Sequence, residues 1–168
     1  MNSLPVPALT EKTVLAVFPD CRFRLFEAKS VILKQNSAAS TLYFIVSGRV
    51  QVSRVFPGKV ELPLATLKKG QLLGEMALLT GKKRSAQAKA LSRVKTLEVT
   101  RRQLENLVLD SNPLAISMAL HLAILLANRL GNVFHSFTDP RLLEISKANA
   151  RQVDVRKVLQ GMYGHCVV

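Results

Sequence analysis

Between Cys21 and Val99 the chain breaks into short runs of alternating apolar and polar residues, each closed by a turn signal, and this constrains the fold more than any other feature. CRFRLF, SVILK, TLYFIVSG, RVQVSRV, VELPLATL, RSAQAKA and RVKTLEV each read as a strand with one face for a core and one for solvent. Seven or eight short strands at this spacing predict a jelly-roll-like β-barrel. Phe56-Pro57-Gly58-Lys59 predicts a turn, and Pro63 belongs at a bulge or sheet edge because it cannot donate to a ladder.

The segment GQLLGEMALLTGKKRSAQAKA (residues 70–90) interrupts this pattern. It reads as a strand end, a glycine turn at Gly74, a short helical turn opening on Glu75, a polar loop, and a return to strand through Arg84-Ser85-Ala86. Backbone N–H groups at a helix start attract an anion. Arg84 offers a two-pronged donor for phosphate, Ser85 a hydroxyl, and Glu75 an acceptor for sugar hydroxyls. A glycine-glutamate pair alone is usually a turn and a helix-start acid. Its combination with Arg-Ser-Ala after a loop of this length is far rarer.

Gly74-Glu75-Met76-Ala77-Leu78 followed by Arg84-Ser85-Ala86 resembles the phosphate-binding cassette of the cyclic-nucleotide-binding domain family, most closely the bacterial sensors related to catabolite activator protein. LYFIVSGRVQV (residues 42–52) is similar to that family's central hairpin with Gly48 at the turn, and Lys69-Gly70 matches the pair before the cassette. The likeness runs from about Phe26 to Phe137. Lys83 departs from it, standing where many members have proline. The resemblance implies a ligand, cAMP first and cGMP second. Glu75 would bind the ribose 2′-hydroxyl and Arg84 the cyclic phosphate, with backbone donors from Met76, Ala77 and Ala86. Gly74 would admit a close backbone approach, and Ser85 would lean toward adenine. By alignment Asn132 and Val133 fall where some relatives present a hydroxyl to the base, and Val133 cannot donate. Val52, Leu64 and Leu73 are candidates to pack on the purine, though each also reads as barrel core.

Helices flank the strands. A short one is expected from about Leu9 to Val17, capped by Thr10, after an irregular start marked by Pro5 and Pro7. Thr100 can cap a helix over RRQLENLVLD, and Pro113 suits the first position of a long helix to about Phe137. Ile116, Leu120, Ala123, Ala127, Leu130, Phe134 and Phe137 recur at intervals of four and three, the seam of a two-stranded coiled coil, and predict a homodimer. Leu122, Leu125 and Leu126 lie off that seam and would cover the barrel. His121 and Asn128-Arg129 interrupt the apolar run before it reaches a membrane-spanning length of about 20 residues. The expected organisation is an α+β chain with a helical segment at 1–20, a binding domain at 21–137 and a helical tail of open role at 138–168.

The chain of 168 residues carries a net charge of +13 and a pI near 10.4, which would draw nucleic acid, acidic lipid or an acidic protein partner. Its basic residues are dispersed, its aromatic content is 5%, and the 138–168 segment holds no recognisable DNA-binding motif, so nucleic acid is the weaker expectation. Cys21 and Cys166 give neither a metal spacing nor a disulfide framework, and a reducing cytoplasm is the expected setting. His121, His135 and His165 are scattered, and no nucleophile triad, paired carboxylate or Walker loop occurs. Neither catalysis nor a metal or cofactor is expected. The alternatives to a sensor are an interaction module that does without ligand and a basic DNA-binding protein.

Overall fold

The computed structural model describes residues 9–109 and 113–138. Helix α1 (Glu11–Val17) begins as expected at Thr10. The Thr10 hydroxyl accepts from the Thr13 N–H at 3.1 Å, and the Thr13 hydroxyl accepts from the Thr10 N–H at 2.7 Å, which satisfies two amides that helix geometry leaves open. Pro5 and Pro7 lie outside the described residues.

Eight strands follow: β1 (Arg22–Phe26), β2 (Val31–Leu33), β3 (Thr41–Ser47), β4 (Arg49–Val55), β5 (Glu61–Lys68), β6 (Leu72–Leu73), β7 (Gln87–Ala90) and β8 (Val94–Thr100). They form two four-stranded antiparallel sheets, in the orders β1-β8-β3-β6 and β2-β7-β4-β5. First pairs with last, second with seventh, and so on inward, as when one long ribbon of paired chain is rolled over itself. That is the jelly roll which the alternation predicts. Between the sheets lie Ile45, Val50, Leu73, Ala88, Ala90 and Val94, all at most 4% exposed.

One expectation needs correction. LYFIVSGRVQV is not a hairpin: β3 pairs with β6 and β8, whereas β4 pairs with β5 and β7. Gly48 is the corner at which the chain leaves one sheet for the other. The connection from β7 to β8 makes the same passage, and the two corners are pinned by Leu91 N–H to Arg49 O at 2.8 Å and Arg49 N–H to Ser92 Oγ at 3.1 Å. Gly48 has φ +90°, and a Cβ there would lie 2.4 Å from Arg93 O, so the crossing of two corners demands glycine. Alternation reports which side of a strand is buried and is blind to its partner.

The hairpin in this region is β4–β5, closed over Pro57–Lys59 by Phe56 N–H to Val60 O at 2.8 Å. Its register slips by one residue where Ser53 faces Pro63 and Val52 faces Ala65, so Pro63 flanks a bulge on an outer strand.

Helix α2 (Glu75–Thr80) lies between β6 and β7, and α3 (Arg101–Leu109) and α4 (Pro113–Thr138) follow β8. Thr100 caps α3 reciprocally with Gln103: Thr100 N–H donates to Gln103 Oε1 at 2.8 Å and Gln103 N–H to Thr100 Oγ1 at 3.2 Å. The chain divides into two compact units inside α4, between Leu122 and Ala123. In the first unit Met118 and Leu122 are buried while Ile116 is 75% exposed. In the second, Ala123 and Ala127 are exposed and Leu130 is 56% exposed. Asn132, Val133, Phe134 and Phe137 lie on α4, but their side chains are outside the described residues, as is the 139–168 segment. Among the described residues no helix is long and apolar enough to cross a membrane.

Candidate ligand-binding site

The site forms where β6 runs out. Leu73 is held by Tyr43 of β3, and Gly74 then turns at φ 87°, ψ 10°, so that α2 starts at the very next residue. A side chain would resist that left-handed conformation by about 1–2 kcal/mol. Glu75, Ala77 and Leu78 face inward, while Met76 and Leu79 are 50% and 42% exposed. Glu75 is only 1% exposed, unusual for a carboxylate.

The loop after Gly81 brings Arg84 back against this start. Its backbone is fixed by the turn before β3: Arg84 N–H donates to Ser37 O at 2.9 Å, and Asn36 N–H donates to Arg84 O at 2.8 Å. Its guanidinium is buried, with Nη1 donating to Gly74 O at 2.6 Å and Nη2 to Thr41 O at 2.6 Å and Thr41 Oγ1 at 3.2 Å. Three of the five guanidinium N–H groups are thereby used by neutral oxygens, and two are left for an anion among the described residues. Burial pulls the guanidinium pKa below its ordinary value, and Tyr43 and then Glu75 work against that shift. A desolvated cation held by neutral carbonyls gains from an arriving phosphate, because a charge taken out of water is costly until it is paired.

The structure thus joins Gly74, Glu75 and Arg84 at one point. Ser85 is exposed and Ala86 half-buried in the approach to β7, which begins only at Gln87, later than RSAQAKA suggests. Leu73 is barrel core and Val52 packs partly on that core. Leu64 is not core: β5 is an outer strand and leaves it 54% exposed. Among the described residues no group of His, Cys, Asp or Glu is placed to hold a metal.

Two residues of the site escape sequence reasoning. Thr41 holds Arg84 by both its carbonyl and its hydroxyl. Arg101 donates from Nη2 to Leu78 O, with Ala77 O at 3.5 Å, and so reaches the far end of α2. One signal existed for it. An arginine in the first turn of a helix opposes that helix's own dipole, which suggests employment elsewhere.

Residues 23–111 match the model of the cyclic nucleotide-binding domain. The chain belongs to that family. This cyclic nucleotide-binding domain is related to cAMP receptor proteins. It is 30% identical over 127 residues to the cAMP-activated global transcriptional regulator CRP of Haemophilus influenzae, covering 75% of this chain and 55% of the relative. It is 37% identical over 107 residues to the cyclic AMP receptor protein of Thermus thermophilus, covering 64% and 48%. The crystal structure of Thermus thermophilus catabolite activator protein superposes with a TM-score of 0.69 at 31% identity, over 85% of this chain and 64% of that one. The domain therefore spans about half to two thirds of the length of these relatives.

Proposed function

We propose that this domain is a non-enzymatic sensor of cyclic nucleotides, with cAMP preferred over cGMP. The observation that carries the reading is the buried Arg84 guanidinium, clamped to Gly74 O at 2.6 Å with two N–H groups to spare. The cyclic phosphate takes those donors together with first-turn amides of Met76 and Ala77 and the Ala86 N–H. Glu75 accepts from the ribose 2′-hydroxyl, and Ser85 adds a hydroxyl beside the phosphate. The two relatives named for cAMP support adenine as the base. Leu64 and Val52 supply apolar surface for it.

Occupancy is signalled through α4, which moves only if the ligand binds one of its positions more tightly than the other. The exposed Ile116, Ala123, Ala127 and Leu130 support pairing of two copies along that helix, with Leu120, Phe134 and Phe137 completing the seam. On this reading residues 1–20 precede a binding domain at 21–137, and the role of 138–168 stays open. Calorimetric titration of the folded protein tests the proposal. Saturable binding of cAMP, tighter than that of cGMP, is expected, and absence of binding of either at high micromolar concentration overturns it.

A further inference from the structure

Arg101 and Arg102 open α3, whose first turn holds no acid. Arg102 is exposed and makes no hydrogen bond or ion pair among the described residues. Arg101 is half-buried and bonded through both side chain and backbone. Its side chain donates to Leu78 O, one of the last carbonyls of α2, which helix geometry leaves without a partner. Its backbone N–H donates to Ser40 O at 2.7 Å. Ser40 precedes Thr41, whose carbonyl holds Arg84 at 2.6 Å.

The two arginines therefore grip α2 at opposite ends, Arg84 through Gly74 O and Arg101 through Leu78 O, and both are anchored on the adjacent residues Ser40 and Thr41. The hydrogen bonds close a ring around the cassette helix, and α3 is part of that ring because Arg101 is its first residue. We infer that Arg101 is a positioning residue of the nucleotide site, which sets the pose of α2 and ties its movement to α3. The inference rests on the cyclic-nucleotide reading of the site. A ligand that draws on Arg84 and on the start of α2 loads that helix at one end. The other end delivers the displacement to α3 because the Arg101 clamp leaves it no independent movement.

The test uses the full chain with Arg101→Gln, Arg101→Lys and Arg102→Gln. Binding of cAMP is read by calorimetry, and amide hydrogen exchange is followed in residues 75–80 and 101–109 with and without the nucleotide. In the wild type cAMP is expected to slow exchange in both segments. Arg101→Gln should weaken binding by up to about tenfold, because without the clamp α2 holds the binding-competent pose in only a fraction of molecules, and abolish the response of 101–109. Arg101→Lys should restore most of both. Arg102→Gln removes the same charge outside the ring and should leave both within about twofold, since it loses only a screened surface charge. If the Gln variant is unfolded, Arg101→Met, which keeps the aliphatic stem, takes its place. An unchanged response of 101–109 in the Arg101 variants overturns the tie to α3, as does an equal loss in Arg102→Gln. A wild type that binds neither nucleotide instead overturns the sensor reading, and this inference with it.

Discussion

Replacing Gly74 by alanine tests the geometry of the cassette most directly. The residue sits at φ +87°, where a side chain costs about 1–2 kcal/mol. The added Cβ would also lie 2.5 Å from Arg84 Nη1, 3.2 Å from its Cζ and 3.2 Å from Leu33 Cδ1. Leu33 is core, so the guanidinium is the group that yields, and its 2.6 Å bond to Gly74 O is lost. A hydrogen bond from a charged donor contributes about 1.5–3 kcal/mol. Together the two effects predict a loss of about 2.5–5 kcal/mol, a large part of the roughly 5–15 kcal/mol that holds a domain folded. Urea unfolding measures it. Gly81→Ala is the matched control: φ is +70° there, but the nearest atom to a new Cβ is 3.6 Å away, so only the conformational cost of about 1–2 kcal/mol applies. Calorimetry on whatever Gly74→Ala remains folded should show at least tenfold weaker cAMP binding, since the displaced Arg84 no longer faces the phosphate. Equal stability losses in the two variants would refute the reasoning, because the Arg84–Gly74 contact would then contribute nothing.

Arg84→Ala should weaken cAMP binding tenfold or more and also destabilise the apo domain, because the Gly74 and Thr41 carbonyls lose their donors; calorimetry that matches the wild type would refute the site. Hydrogen bonds from Lys89, foremost, and from Ser53 hold the Glu61 carboxyl below its ordinary pKa. A lowered folded value contributes stability above the unfolded pKa and loses it as pH falls through the folded one. The stability difference between wild type and Glu61→Gln should therefore be constant near neutrality and shrink below the ordinary carboxylate range, in urea titrations across that range; a difference independent of pH would refute it. On the proposed pairing of two copies through α4, Ile116→Glu together with Leu130→Glu should lower the mass seen by light scattering from that of a dimer to that of a monomer. An unchanged mass would remove the seam from the dimer.

The strands and helix starts were readable one segment at a time because their causes are local. Period-two burial marks a strand, and Thr10 and Thr100 announce helices by side chains that reach only three residues. The cassette was readable for a similar reason. Gly74-Glu75 and Arg84-Ser85 are close in sequence, and the loop between them is short enough to bring its ends together. Gly48 shows the limit: its strands were seen, but their partners were not, since pairing is settled across the sheets.

The sequence by itself thus determined seven of the eight strands, the helix caps and the residues proposed to meet a phosphate. Only the tertiary structure decided what holds those residues in place. Thr41 grips Arg84 from 43 positions away, and Arg101 reaches Leu78 across 23. Neither distance leaves a pattern in the chain, because a buried carbonyl accepts a donor from whichever segment the packing brings within reach.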